Sequence, residues 1–246
     1  MLELQNVSKI YKGKTALHDV SIKLEEGIYG LLGPNGAGKS TLMNIITQNI
    51  RQSAGQVLWK GKDVDSLGKE YRSMIGYAPQ QQGLYESFTG RRFLAYMATL
   101  KAIPRKKMAK EIDQALASVN LEAVADRKIG TYSGGMKQRL LVAQAIMGNP
   151  ELIILDEPTV GLDPKERVSL GEKISAVAKD KVILLSTHVL SDIESIAKEV
   201  IFLKRGRIVE QGTVASLLDK YSCISGLEDV YLQVQEDQEN DQISLL

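Results

Sequence analysis

Between the apolar run Ile28-Tyr29-Gly30-Leu31-Leu32 and the helix-forming stretch Ser40–Ile46, the chain reads Gly33-Pro34-Asn35-Gly36-Ala37-Gly38-Lys39-Ser40, followed by Thr41. The octapeptide fits G-x-x-x-x-G-K-[ST], and a strand before it with a helix after it is the context in which that pattern cradles phosphate. Glycines let successive backbone N–H groups turn inward, the helix amino terminus adds its positive end, and Lys39 reaches the β/γ oxygens. Ser40 is a candidate Mg²⁺ ligand. A chance glycine-rich turn is the other reading of these residues, and the flanking elements argue against it.

Further along, Leu152-Ile153-Ile154-Leu155 is apolar enough for a central strand, and it runs into Asp156-Glu157. In an open α/β sheet that strand end borders the ligand crevice. Adjacent carboxylates there are costly unless a cation is near, and the Mg²⁺ of a bound nucleotide supplies one. Asp156 then holds the metal while Glu157 polarises an attacking water. Taken alone, an acid pair after a strand is equally a loop start.

Around these two stretches, Leu2–Val7, Ala16–Leu24, Ile28–Leu32 and Gln56–Trp59 predict short strands. From about Arg91 to Asn120 helix formers dominate, with Phe93, Tyr96, Met97 and Leu100 at helical spacing, a break at Pro104, then Ile112, Leu116 and Val119. After Pro150 strands and helices alternate again, with 152–155 and 182–186 as buried strands and a hairpin over Val200–Val209. The alternation predicts a mainly parallel sheet covered on both faces, with the helical block inserted into it. His18 has no functional context and reads as a surface or turn residue.

Composition excludes several classes. The chain has 246 residues, 31 Lys+Arg against 30 Asp+Glu, 43% hydrophobic residues and one cysteine. The length suits one large globular unit or a core with a subdomain. A net charge of +1 gives no net field to hold nucleic acid or an anionic membrane, which leaves only a local patch to do either. Cys223 alone makes neither a disulfide framework nor a cysteine zinc site. No run approaches the roughly 18 apolar residues of a membrane span, and the amino terminus lacks the pattern of a signal peptide. Residues 235–246, rich in acids and without a base, read as a solvated tail.

Phosphate loop and acid pair together leave a kinase or a GTPase open. Ser133-Gly134-Gly135-Met136-Lys137-Gln138-Arg139, ahead of the acid pair, resembles the signature sequence of the ATP-binding cassette family. Other motifs of that family stand in order: Gln80 in Gly76-Tyr77-Ala78-Pro79-Gln80 is similar to its glutamine loop, Gly161-Leu162-Asp163 to its D-loop, and His188 in Ser186-Thr187-His188 to its switch histidine. Tyr11 stands where the family places the aromatic that stacks on adenine. The resemblance covers residues 1 to about 215. It implies an α/β fold of the P-loop NTPase (RecA-like) kind, a mainly parallel sheet core with an N-terminal antiparallel β subdomain and an inserted α-helical subdomain. The implied divisions are 1–85 for the first part of the core, 86–148 for the helical subdomain, 149–215 for the second part of the core and 216–246 for a C-terminal extension.

The resemblance also implies ATP and Mg²⁺ as cofactors. It assigns Tyr11, Gly33–Thr41, Ser133, Gly134, Gly135 and Asp163 to the nucleotide, Ser40, Gln80 and Asp156 to the metal, and Glu157, His188 and Gln80 to catalysis. Met136, Leu140, Ala143 and Met147 fit a 3.6-residue period, so the signature opens a helix with bare N–H groups at its start. In the family that end caps the nucleotide of a second cassette, identical or homologous, in a head-to-tail pair. Three positions depart from the pattern: Tyr132 and Met136 stand where many cassettes have Leu and Gln, and Arg92 where relatives often carry an acid.

Two functions are expected from this. One is the ATP-hydrolysing subunit of a transporter, cytoplasmic and peripheral on the inner face of the membrane, with 81–89 docking an integral permease subunit. The texture around Leu31–Pro34, Ser186–Asp192 and Leu227–Leu232 resembles cassettes that pair with ABC-2 type permeases, hence export, with an importer as the alternative. The other is a soluble cassette ATPase acting on DNA or ribosomes. Such relatives carry paired cassettes, zinc cysteines, coiled coils or basic arms, none of which stands out here, so nucleic acid is not expected as a partner.

Overall fold

The computed structural model describes residues 1–80, 83–222 and 226–234. The expectations placed on Cys223, on Gln81 and Gln82 and on the acidic tail lie outside these residues. Strands β1 (Leu2–Tyr11), β2 (Lys14–Leu24), β4 (Ala54–Trp59) and β5 (Lys62–Asp63) form an antiparallel sheet in the order β2-β1-β4-β5. Alternation in β1 turns Leu2, Leu4 and Val7 inward, where they pair with Leu24, Ile22 and Val20 of β2. This hairpin is longer than the apolar alternation predicts. Lys12 (φ 44°) and Gly13 (φ 85°) form its two-residue turn, the left-handed pair that matches strand twist, and the strands therefore run on to Tyr11 at the tip.

The second sheet holds β3 (Gly27–Leu32), β6 (Ile75–Ala78), β7 (Leu152–Asp156), β8 (Val182–Ser186), β9 (Glu199–Lys204) and β10 (Arg207–Gly212), in the order β10-β9-β3-β8-β7-β6. All neighbours are parallel except β10, which returns antiparallel along β9. Every residue of β7 and β8 is buried, so both faces need cover. Period-two alternation divides the two faces. Leu152, Ile154, Val182 and Leu184 pack toward α1 (Lys39–Ile46) and the first sheet, in one core. Ile153, Leu155, Ile183 and Leu185 pack in a second core with α4 (Gly90–Leu100), α5 (Arg105–Ala117), α6 (Gly134–Ile146) and α7 (Pro164–Val177).

Short helices α2 (Val64–Leu67) and α3 (Lys69–Ser73) lead into β6, α8 (Ser191–Glu194) follows β8, and α9 (Val214–Lys220) follows β10. Residues 227–234 are helical and bury Leu227, Val230 and Val234 in the second core. Pro104 separates α4 from α5, as its fixed φ and missing N–H require. His18 lies within β2 and is exposed, the surface residue expected from the sequence. The signature helix also differs from expectation: α6 is buried on nearly all sides, with Leu140, Leu141, Val142, Ala143 and Ala145 inside, Met136 only partly covered and Met147 just past its end. It lies among β6, β7, α4 and α5, so a single apolar stripe would leave buried surface polar.

Packing of α6 on β6 is close enough to exclude any side chain at Gly76, where a Cβ would stand 1.9 Å from Ala145 O. Gly76→Ala forces strand and helix apart, and overpacking of this kind costs about 1–3 kcal/mol. Urea unfolding should show that loss as a lower midpoint with an unchanged slope.

Candidate functional site

The loop Gly33–Gly38 leaves the carboxyl end of β3 and enters α1. Its first residue must be glycine, because a Cβ at Gly33 would lie 2.1 Å from Leu203 O of β9. Backbone bonds tie the loop to its neighbours in series: Gly206 N donates to Ala37 O at 2.8 Å, and His18 N in turn donates to Gly206 O at 2.8 Å. Gly38, in the left-handed conformation, caps α1 without a side chain, so the first N–H groups of the helix have no side-chain acceptor and suit an anion. Lys39 is buried at 7% exposure, its Nζ donating to Gly33 O (2.7 Å) and Pro34 O (3.3 Å). Burial lowers the pKa of this ammonium, while Glu157 and Asp156 hold it up. A cation so placed gains when phosphate oxygens replace the two carbonyls.

At the end of β7, Asp156 and Glu157 are 4% and 5% exposed. Ser186 stands beside Asp156 in the parallel register. Its Oγ donates to Asp156 Oδ1 at 2.6 Å and accepts from Glu157 N at 3.0 Å. Glu157 is left-handed, φ 54°, which costs a residue with a Cβ about 1–2 kcal/mol. Gln138 of α6 steadies this turn by donating from Nε2 to Glu157 O at 3.1 Å. The glutamate Oε2 lies 2.8 Å from His188 Nδ1; an ionised carboxylate only accepts, so in this pair the imidazole donates from Nδ1.

A cavity of about 680 Å³ brings together Tyr11, Gln80, Asp156 and Glu157 around Pro34–Gly36 and Gly38–Thr41. Gly33 and Ala37 are buried beneath it. Lys14, Thr15, Ala16 and Arg205 also line it; sequence reading missed them, because they come from β2 and from the turn between β9 and β10. Ser186 and Gln138 were missed as site organisers too. The available signals were a serine closing the apolar run 182–185 and a glutamine inside an otherwise apolar helix.

Ser133, Gly134, Gly135 and Asp163 do not line this cavity. Ser133 caps α6, its Oγ accepting from Met136 N at 3.1 Å, and with Gly134 it is exposed to solvent. Asp163 is exposed and caps α7, accepting from Glu166 N at 2.8 Å. The departure at Tyr132 is structural: its ring is buried and its hydroxyl donates to Val124 O at 2.7 Å. Arg92 stacks its guanidinium 4.2 Å from the Phe88 ring centre.

Fit to Mg²⁺ can be judged from donor chemistry. The Asp156 carboxylate, the Ser40 hydroxyl and the Gln80 amide offer oxygen from one cavity, and among the described residues no group of three or more His, Cys, Asp or Glu assembles a cage. Few carboxylates, hard oxygen donors and room for phosphate oxygens suit this ion.

Similarity to known proteins agrees with this chemistry. A family model described as "ABC transporter" matches residues 17–160, more than half of the chain. The uncharacterised ABC transporter ATP-binding protein YxlF of Bacillus subtilis (strain 168) is 35% identical over 218 residues, 88% of this chain and 72% of that protein. Nod factor export ATP-binding protein I of Neorhizobium galegae is 36% identical over 220 residues, 89% of this chain and 63% of that protein. Among solved structures, a bacterial ABC transporter cassette crystallised as a dimer superposes with a TM-score of 0.80 at 28% identity, over 87% of this chain and 98% of that one. The same cassette is known in a post-hydrolysis state with ADP and Pi. With phosphate loop, acid pair and antiparallel sheet arranged as described, the chain belongs to the ABC transporter family, as an ATP-binding cassette that hydrolyses ATP.

Proposed function

We propose that this cassette is the motor subunit of an exporter, and that two copies, or one copy and a homologous cassette, close head to tail around two Mg-ATP and drive separate membrane permease subunits. The observation that carries this reading is the exposed amino end of α6, a helix terminus fit for an anion that lies outside the chain's own phosphate cavity. A site divided over one chain is completed by a two-fold partner. In that pair Ser133, Gly134 and Gly135 cap the γ-phosphate held by the partner, with Asp163 beside it.

Within each half, Tyr11 stacks on adenine, and Lys39 with the N–H groups of the loop takes the β and γ phosphates. Ser40, Asp156 and Gln80 hold Mg²⁺, which when bound neutralises phosphate charge. Glu157 accepts the proton of the attacking water, and His188, hydrogen-bonded to it, orients the carboxylate and can turn toward the γ-phosphate. Ser186 keeps the two acids apart in direction, leaving each its own task.

Docking to the permease is assigned to the start of the helical subdomain, taken as 86–148, and the loop before it. There Tyr85 is 50% exposed and stacks on Phe88 at 5.0 Å, and Tyr96 meets Phe88 edge-on at 6.5 Å. An exposed aromatic group topped by Arg92 suits an amphipathic helix of a partner. Among the described residues no helix is long and apolar enough to cross a membrane; in the proposed assembly, attachment at the cytoplasmic face of the membrane runs through this surface. The export function named for the Neorhizobium relative supports the direction of transport.

Glu157→Gln should retain Mg-ATP, accumulate as an ATP-bound dimer in gel filtration and lose a factor of about 10² or more in turnover, the scale of a missing general base. Lys39→Ala should lose nucleotide binding itself, read by fluorescent-ATP titration, because among the described residues lining the cavity Lys39 is the one buried cation. Ser133→Arg should bind ATP as a single subunit at near wild-type affinity yet fail to dimerise; weakened binding by the single subunit would contradict a signature that acts in the partner's site.

A further inference from the structure

Lys101 ends α4, and its side chain crosses to the far end of another helix. Nζ donates to Gln144 O (2.8 Å), Ala145 O (3.3 Å) and Met147 O (2.8 Å). These are carbonyls of the last turn of α6 and the residue after it, groups that a helix leaves without internal donors. One ammonium with three donors thus satisfies the negative end of the signature helix. Burial lowers the Lys101 pKa to about 8, while the carbonyls favour the charged form.

Three parts of the proposed machine are linked to this point through the elements that end here. α4 begins at Gly90, capped by Thr89 beside the Phe88 aromatic surface. Gln144 donates from Nε2 to Tyr77 O of β6 at 3.2 Å, and β6 leads through Pro79 to Gln80 in the phosphate cavity. The opposite end of α6 is Ser133. From Gly134 to Ile146 the helix has 13 residues, about 20 Å, so a tilt of about 5° around its carboxyl end displaces Ser133 by about 2 Å.

We infer that Lys101 is a positioning residue for ATP hydrolysis: by clamping the carboxyl end of α6 to α4, it sets the angle at which Ser133–Gly135 reaches the partner's nucleotide and lets movement of the docking surface change that angle. It touches no nucleotide, since it does not line the phosphate cavity. The inference rests on the reading that the signature acts in the partner's site.

Lys101→Met keeps the apolar stem and removes the donors, and Lys101→Arg keeps the charge and several donors. Misplacement of a reacting group by about 1 Å costs up to 10²-fold, so Lys101→Met should lower kcat at least tenfold. ATP affinity of the single subunit should stay within twofold of wild type. In a Glu157→Gln background, ATP-driven dimerisation should need at least tenfold more protein, and Lys101→Arg should recover most of the rate. If Lys101→Met does not fold, Lys101→Gln is read by the same criteria. A lower melting temperature with unchanged kcat per folded molecule would overturn the inference, as would Lys101→Arg no better than Lys101→Met. Ser133→Arg in the same assay separates the two readings. If it still dimerises, action of the signature in the partner's site fails and this inference with it; if it does not and Lys101→Met behaves as wild type, only the role of Lys101 fails.

Discussion

Two carboxylates that end a fully buried strand constrain everything packed around them. Charges as deeply covered as those of Asp156 and Glu157 cost several kcal/mol each unless answered by partners of matching polarity. The partners come from separate parts of the chain: Ser186 from β8, Lys39 from the phosphate loop and His188 from the segment beyond β8, while Gln138 from the signature helix holds the backbone carbonyl of Glu157. The acid pair is therefore where sheet, loop and helical block must agree in position. It also explains why a strained backbone at Glu157 persists: three hydrogen bonds, two donated by its N–H to Ser186 O and Oγ and one accepted by its carbonyl from Gln138, fix the turn.

Much of this was legible in the amino-acid order, because the chemistry of phosphate binding is written in contiguous residues. Gly33–Ser40 needs its glycines and lysine at fixed spacing. The runs at 152–155 and 182–186 could only be central strands, and β7 and β8 run as expected with one residue added to the first. What stayed hidden depends on contacts between distant segments. Ser186 is an ordinary strand-end serine until the register sets it against Asp156. Gln138 is one more motif residue until α6 packs on the Glu157 turn. Arg205 enters the cavity because the turn between β9 and β10 is bonded to Ala37 and His18. The stripe read into α6 understates its burial, since periodicity reports one neighbour and this helix has four.

That backbone junction has a structural role of its own. Gly206 accepts from the first sheet through His18 and donates to the phosphate loop through Ala37, while its own strand pair belongs to the second sheet. A Cβ at Gly206 would stand 2.6 Å from Ala16 O. Both sheets and the loop thus share one turn, with no side chain between them, and their relative placement is set by main-chain bonds that surface variation leaves intact.

Tyr11 sits at the tip of the first hairpin, on the other sheet from every group that meets phosphate, and among the described residues lining the cavity it is the one aromatic. The face of a ring accepts any base, whereas the phosphate chain encounters a lysine, open N–H groups and oxygen donors at fixed distances. On the proposed reading, discrimination falls on how many phosphates a nucleotide carries, and hardly on which purine carries them.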